Sequence, residues 1–258
     1  MKKIVITDGE CDEERELAVS RALEHGLGIE CQQFYNPNHL REDPQLLQRV
    51  ADQLEPITFR SMHGPFCGLS TGVHDWMIRD VTLYRFREAL EQAKALDVHD
   101  MVIHYNYAYK VTPVSIWRSY TIPFYKEFAK ELDGSVRIHL ENCLEPNPDL
   151  IAETIFEVDS PYLDACIDVG HVHANTDTTV EDWCKALGNK VGYVHLHNNH
   201  GAVDEHNALD EGTLDMDRVL RLLEETNPDM VWCVECLEKN NGKVRSIQWL
   251  LEHGYINR

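Results

Sequence analysis

The chain has 258 residues, long enough for one large α/β domain with a substantial core, and no linker or low-complexity run divides it. Its 44 acidic against 24 basic residues give a formal charge of -20; such a surface repels phosphate backbones and anionic lipid, so neither nucleic acid nor membrane is an expected partner. Lys2 and Lys3 precede only Ile4 to Asp8, too short an apolar run for a signal peptide or a membrane span, so the expected location is cytoplasmic.

In chain order, eight short apolar runs are predicted as strands: Lys3 to Thr7, Gly28 to Phe34, Ile57 to Met62, Met101 to His104, Val136 to Glu141, Leu163 to Asp168, Val191 to His197, and Met230 to Glu235. Ile, Val, Phe and Tyr dominate most of them, as in buried parallel strands. Helical stripes lie between: Leu46, Val50 and Leu54; Phe86, Leu90 and Ala93; Met216, Val219, Leu220 and Leu223; and finally Val244, Ile247 and Leu251. Within Pro113 to Leu132 a helix is expected to begin near Pro123, since proline breaks or starts a helix. Eight strand-helix units predict a single-domain (β/α)₈ TIM barrel over residues 1–258, with an open doubly wound sheet as the rival. The eight cysteines, scattered singly, read as reduced thiols, and Cys233 and Cys236 fall on opposite faces of a strand-like segment.

A barrel gathers its strand ends at one mouth, and here those ends are polar. The third strand runs into His63, the fourth ends at His104, the fifth at Glu141, the sixth at Asp168 with His171 just beyond, the seventh at His197, and the eighth at Glu235. The loop after His197 adds Asp204 and His206, two apart and able to reach one ion. Three carboxylates converging on one mouth repel one another unless a cation neutralises them, so a divalent metal, Zn²⁺ or Mn²⁺, is expected, at more than one site. His139 and His195 each lie two residues before a ligand candidate, one layer deeper, and read as core histidines bonded to a neighbour. His173 reads as a candidate supporting residue just outside the ligands, while His25, His39, His74, His99 and His253 read as surface or loop residues.

The ordered set His63-Gly-Pro-Phe, His104, Glu141-Asn, Asp168-Val-Gly-His171, His-Leu-His197, Asp204-Glu-His206 and Val-Glu235-Cys resembles the xylose isomerase-like barrel superfamily, which holds sugar isomerases, sugar epimerases and endonuclease IV. For the epimerases the resemblance implies one metal on Glu141, Asp168, His197 and Glu235. For endonuclease IV it implies three zincs: one on His63, His104 and Glu141, one on Glu141, Asp168, His197 and Glu235, and one on His171, Asp204 and His206.

All nine positions are filled. A DNA enzyme would need positive or intercalating groups in its second loop, and none of the residues between Gln32 and His39 is basic. The sequence also departs from the epimerases, reading Asn-Asn-His-Gly after His197 where they place an arginine on the substrate. The preferred reading is a metal-dependent isomerase or epimerase of a sugar, sugar acid or polyol, with Glu141 and Glu235 flanking the carbon that loses its proton and His171 orienting a hydroxyl. The alternatives are a multi-zinc phosphoester hydrolase and a metal-loaded binding protein. Gln33, Phe34, Tyr35, Phe66, Tyr105 and Tyr107 are candidate substrate walls. The expected partner is a small carbohydrate, and homo-oligomers are compatible with the sequence.

Overall fold

The computed structural model describes residues 2–9 and 11–256. Eight strands, β1 (Ile4–Thr7), β2 (Gly28–Cys31), β3 (Arg60–His63), β4 (Asp100–His104), β5 (Arg137–Glu141), β6 (Leu163–Asp168), β7 (Val191–Leu196) and β8 (Val231–Val234), form a closed parallel barrel in sequence order. Closure comes from β1 lying on β8, with Val5 opposite Cys233. The helices are α1 (Asp12–His25), α2 (His39–Glu42), α3 (Leu46–Leu54), α4 (Trp76–Ala95), α5 (Val114–Phe128), α6 (Asp149–Val158), α7 (Val169–Asn175), α8 (Val180–Leu187), α9 (Met216–Thr226) and α10 (Gly242–Glu252). The chain is thus a single (β/α)₈ barrel, and among the described residues no helix is long and apolar enough to cross a membrane.

Period-two alternation sorts each strand between two cores. Ile4, Ile6, Ile29 and Cys31 face outward into the large core shared with the helices, whereas Val5, Val102, Cys166, Tyr193, Val231 and Cys233 form a smaller cluster inside the barrel. In β7 the register slips between Val191 and Tyr193, which pair with the consecutive residues Ala165 and Cys166. A side chain on the intervening Gly192 would strike the His139 ring, its Cβ standing 2.8 Å from Cε1. This slip sets the inward face of the rest of β7, which carries Tyr193 and His195.

Several elements differ from the sequence expectation for identifiable reasons. The β2 ladder stops at Cys31, because the next backbone N–H, of Gln32, donates to the Asp8 carboxylate at 2.9 Å. β3 begins only at Arg60, since Ile57 closes the end of α3 with its N–H on Leu54 O. The helix expected near Pro123 begins instead at Val114, and Pro123 lies inside it. Proline forfeits one helical hydrogen bond; here Trp117 and Thr121 before it, and Phe124, Tyr125 and Phe128 after it, are all buried and hold the helix together. The inward face of α10 is Lys243, Ser246, Ile247 and Leu250, not Val244, Ile247 and Leu251. A stripe read from apolar residues alone misses Ser246, whose hydroxyl is satisfied by Gly242 O at 2.8 Å and accepts from Leu209 N at 3.1 Å. All eight cysteines are free thiols; Cys233 faces the barrel interior, while Cys236 lies beyond β8 against Ser246.

Candidate metal centre at the barrel mouth

The strand ends surround a cavity of about 400 Å³ lined by Gln32, Tyr35, His63, Phe66, His104, Glu141, His171, Asp204, His206 and Glu235. Three of these histidines repeat one arrangement. Each turns Nδ1 to a main-chain carbonyl and Nε2 to a carboxylate: His63 to Gly64 O (2.9 Å) and Glu141 Oε2 (3.2 Å), His171 to Asn142 O (2.8 Å) and Asp204 Oδ2 (3.0 Å), His206 to Glu235 O (3.0 Å) and Asp204 Oδ2 (3.0 Å). A backbone acceptor at Nδ1 fixes the ring and leaves Nε2 as the atom facing the site, which is how metal-binding histidines are held. His104 follows suit with sulfur in place of the carbonyl: Nδ1 meets Cys143 Sγ at 3.1 Å, and Nε2 lies 3.3 Å from Glu141 Oε2.

Donor atoms able to converge on an ion fall into neighbouring groups. His63, His104 and Glu141 form one; Glu141, Asp168, His195 and Glu235 a second; His171, His197, Asp204 and His206 a third, the atoms of each group lying within 4.8 Å of one another. The grouping differs from the ligand sets implied by the resemblance in two respects: His195 takes the place of His197 in the central group, and His197 joins His171, Asp204 and His206. His195 Nδ1 stands 3.0 Å from Glu141 Oε1 and 3.2 Å from Glu235 Oε2, while His197 turns its Nε2 to Asp168 and stacks on His206 at 3.9 Å between ring centres. His195 is also the buried, neighbour-bonded histidine expected from its depth, with Nε2 on Glu30 Oε2 at 3.1 Å. His139 behaves likewise, donating to Asp100 at 2.8 Å.

Burial by itself would raise the carboxylate pKa values. For Glu141 the fields of His195 and His104 outweigh it, and for Asp168 those of His171 and His197 do, so both carboxyls are held below the usual range. Asp204 is lowered too, burial being outweighed by its bonds to His171 and His206. On the histidine side, burial opposes the proton of His206, yet the Asp204 bond and the Glu235 field push it up to about 9. For His104 burial wins over the pull of Glu141, and the ring is held down to about 3.

One wall of the cavity is aromatic. Phe66 stacks on His104 with 3.9 Å between ring centres and 6° between planes, and Tyr35 stacks on Phe66 at 5.5 Å. The expectation that Tyr105 and Tyr107 also line the site is corrected. Tyr105 follows the inward His104 and so points outward, where its hydroxyl bonds Leu150 O and Thr154. Tyr107 is buried, with its hydroxyl on Thr112 O. Gln33 is tied to Gly9 O and Phe34 is buried in the large core. Sequence reasoning missed Glu30, Gln32 and Cys143. For the first two a signal existed, because Glu30 and Gln32 occupy the inward positions of β2 and its extension, between the outward Ile29 and Cys31.

A closed parallel barrel with histidines and carboxylates gathered at the C-terminal ends of its strands defines the class of this protein. The chain belongs to the xylose isomerase-like TIM barrel family, whose sequence model matches residues 20–253. It is 29% identical over 193 residues to MJ1311, an uncharacterized protein of Methanocaldococcus jannaschii; the match covers 67% of this chain and 63% of that protein, less than two thirds of its length. Among solved structures it is similar to a D-tagatose 3-epimerase-like protein, with a TM-score of 0.80 and 21% identity over 98% of this chain and 97% of that one. It is also similar to the TTHB071 protein of Thermus thermophilus, soaked with zinc chloride, with a TM-score of 0.76 and 23% identity over 99% and 98%. At these identities the solved structures speak to the fold.

Proposed function

We propose that this protein is a divalent-metal-dependent isomerase or epimerase of a sugar, sugar acid or polyol. The observation that carries the metal reading is the threefold repetition of a histidine anchored through Nδ1 on a main-chain carbonyl, with Nε2 turned to a carboxylate at the mouth. Two buried carboxylate oxygens, Glu235 Oε2 and Asp204 Oδ1, make no hydrogen bond and have only histidine nitrogens beside them, at 3.2 and 3.7 Å, which leaves them open to an ion. Glu141, Asp168 and Glu235 with a histidine would hold one ion, and His171, Asp204 and His206 another. When bound, such an ion supplies Lewis-acid stabilisation of the negative charge that develops as a proton leaves a carbon beside a carbonyl.

The chain's own groups supply the rest. Glu141, from the end of β5, and Glu235, just past β8, reach the cavity from non-adjacent strands and bring carboxylate oxygens within 4.8 Å of each other. Two carboxylates so placed can address one carbon from different directions, one taking a proton and the other returning it. Phe66 with Tyr35 offers an apolar face to a sugar ring. The similarity to a D-tagatose 3-epimerase-like protein and to a zinc-soaked barrel supports this reading. Supporting the alternative, a phosphoester hydrolase, are the three adjacent donor groups. Against it, among the described residues no lysine or arginine lines the cavity to meet a phosphate.

Zinc- or manganese-loaded protein incubated in deuterium oxide with a panel of ketoses and sugar acids tests the proposal. Deuterium entering the carbon beside the carbonyl, read by proton NMR and absent from the metal-stripped sample, is the expected result. No exchange across the panel, with alcohol or phosphate released from phosphoesters, would overturn it.

A further inference from the structure

Gln32 lies just past β2, at the edge of the cavity, and its side-chain amide donates to Glu235 Oε1 at 2.6 Å. That bond occupies one oxygen of Glu235 and leaves the other, Oε2, facing His195 Nδ1 at 3.2 Å among the donors of the central group. A neutral amide in this position restrains the carboxylate without cancelling its charge, as an arginine would.

Gln32 is held in its turn. Its backbone N–H donates to Asp8 Oδ1 at 2.9 Å, and Asp8 Oδ2 accepts from Arg15 Nε at 3.0 Å, with both side chains of that pair fully buried. Arg15 reaches on to Asp12 at 2.8 Å and to Gln53 of α3. The neighbouring Gln33 side chain is tied to Gly9 O, so the turns after β1 and β2 are laced together at two successive residues. A buried charged pair contributes little net stability; here the Asp8–Arg15 pair joins the turn after β1 to the backbone of Gln32.

We propose that Gln32 is a positioning residue that sets the rotation of Glu235 for metal coordination, and that the buried Asp8–Arg15 pair fixes Gln32. The inference rests on the reading of Glu235 as a metal ligand. Groups that hold a ligand from outside typically change metal affinity by about 10- to 100-fold when removed.

The test is a cobalt(II) titration of the metal-stripped protein, followed by visible absorption, which reports both affinity and the geometry around the ion. Wild type is compared with Gln32→Met, which keeps the length but loses the amide, with Gln32→Ala, and with Glu235→Gln. Thermal unfolding of the metal-free variants checks folding. The expected result is a 10- to 100-fold loss of cobalt affinity and an altered spectrum in both Gln32 variants, at an unchanged unfolding temperature. Wild-type affinity and spectrum in Gln32→Met, with affinity lost in Glu235→Gln, would overturn the role of Gln32 and leave the metal reading standing. Wild-type binding in Glu235→Gln would remove Glu235 from the ligands and overturn both.

Discussion

His197 Nε2 lies 3.0 and 3.1 Å from the two carboxylate oxygens of Asp168, a contact between the ends of β6 and β7 that depends on the absence of a side chain at Gly170. A Cβ there would stand 1.9 Å from Cε1 of the fully buried His197 ring. Asp168 also caps α7, its Oδ1 accepting from His171 N at 2.7 Å, so one carboxylate ties the helix start to both histidines. Gly170→Ala gains about 1 kcal/mol of helix propensity but forces the ring to move, and overpacking of this kind costs about 1–3 kcal/mol. The variant is expected to melt lower and to bind cobalt(II) more weakly. Unchanged melting and binding would show that the ring has room to shift.

Asp204 joins His171 and His206 through one oxygen, Oδ2, at 3.0 Å from each ring. With a single carboxylate, this group is expected to hold its ion less tightly than the group containing Glu141, Asp168 and Glu235. In Asp204→Asn with His206→Ala, elemental analysis of fully loaded protein should find one ion fewer per chain. Full metal content in the double variant would reduce the site to one metal with a polar lid.

Tyr105 and Phe66 were both expected as substrate walls, and their surroundings now predict different behaviour. Tyr105→Phe removes a buried hydroxyl from Thr154 and Leu150 O, which should cost about 1 kcal/mol of stability while leaving metal and sugar binding unchanged. Phe66→Ala strips the stacked face from His104 and Tyr35 and should weaken sugar binding by up to about tenfold. Calorimetric melting paired with sugar titration distinguishes them. Weaker sugar binding in Tyr105→Phe would return that residue to the site.

At the opposite end of the barrel, Asp100 accepts from His139 at 2.8 Å. Burial by itself would raise its pKa, but the His139 bond, aided by the fields of His139, Lys3 and Arg137, holds it below the ordinary value. A carboxyl depressed on folding adds stability above its unfolded pKa of about 3.9, and that stability is lost as the pH falls through the folded value. Melting of wild type and Asp100→Asn, both metal-free, should therefore differ most between about pH 5 and 7 and converge as the medium becomes more acidic. A gap that stays constant to the acid limit of folding would show that the charge contributes nothing.

The barrel was legible because most of its strands carry short apolar stretches, such as Ile4-Val5-Ile6 and Met101-Val102-Ile103, and the mouth because His or acidic side chains close several of them. Alternation within β2 marks Glu30 as inward but does not reveal its partners. Glu30 is a carboxylate in the middle of a strand, satisfied by Tyr193 and His195 from β7 across the barrel, and no pattern within β2 announces partners more than 160 residues away. The inward face of α10 escaped for a related reason, since Ser246 is buried by virtue of bonds to the loop after β7. Pro123 misled because proline's cost is local, whereas the aromatic residues that outweigh it are anchored by the surrounding core.

The proposed function requires the mouth to hold divalent ions where the carboxylates and histidines converge. Diffraction data collected at the zinc edge from crystals of the zinc-loaded protein test this directly. One anomalous peak is expected within coordination distance of Glu141, Asp168 and Glu235, and a weaker second among His171, Asp204 and His206. A mouth with no anomalous peak, in crystals of protein shown to be folded and zinc-saturated in solution, would contradict it.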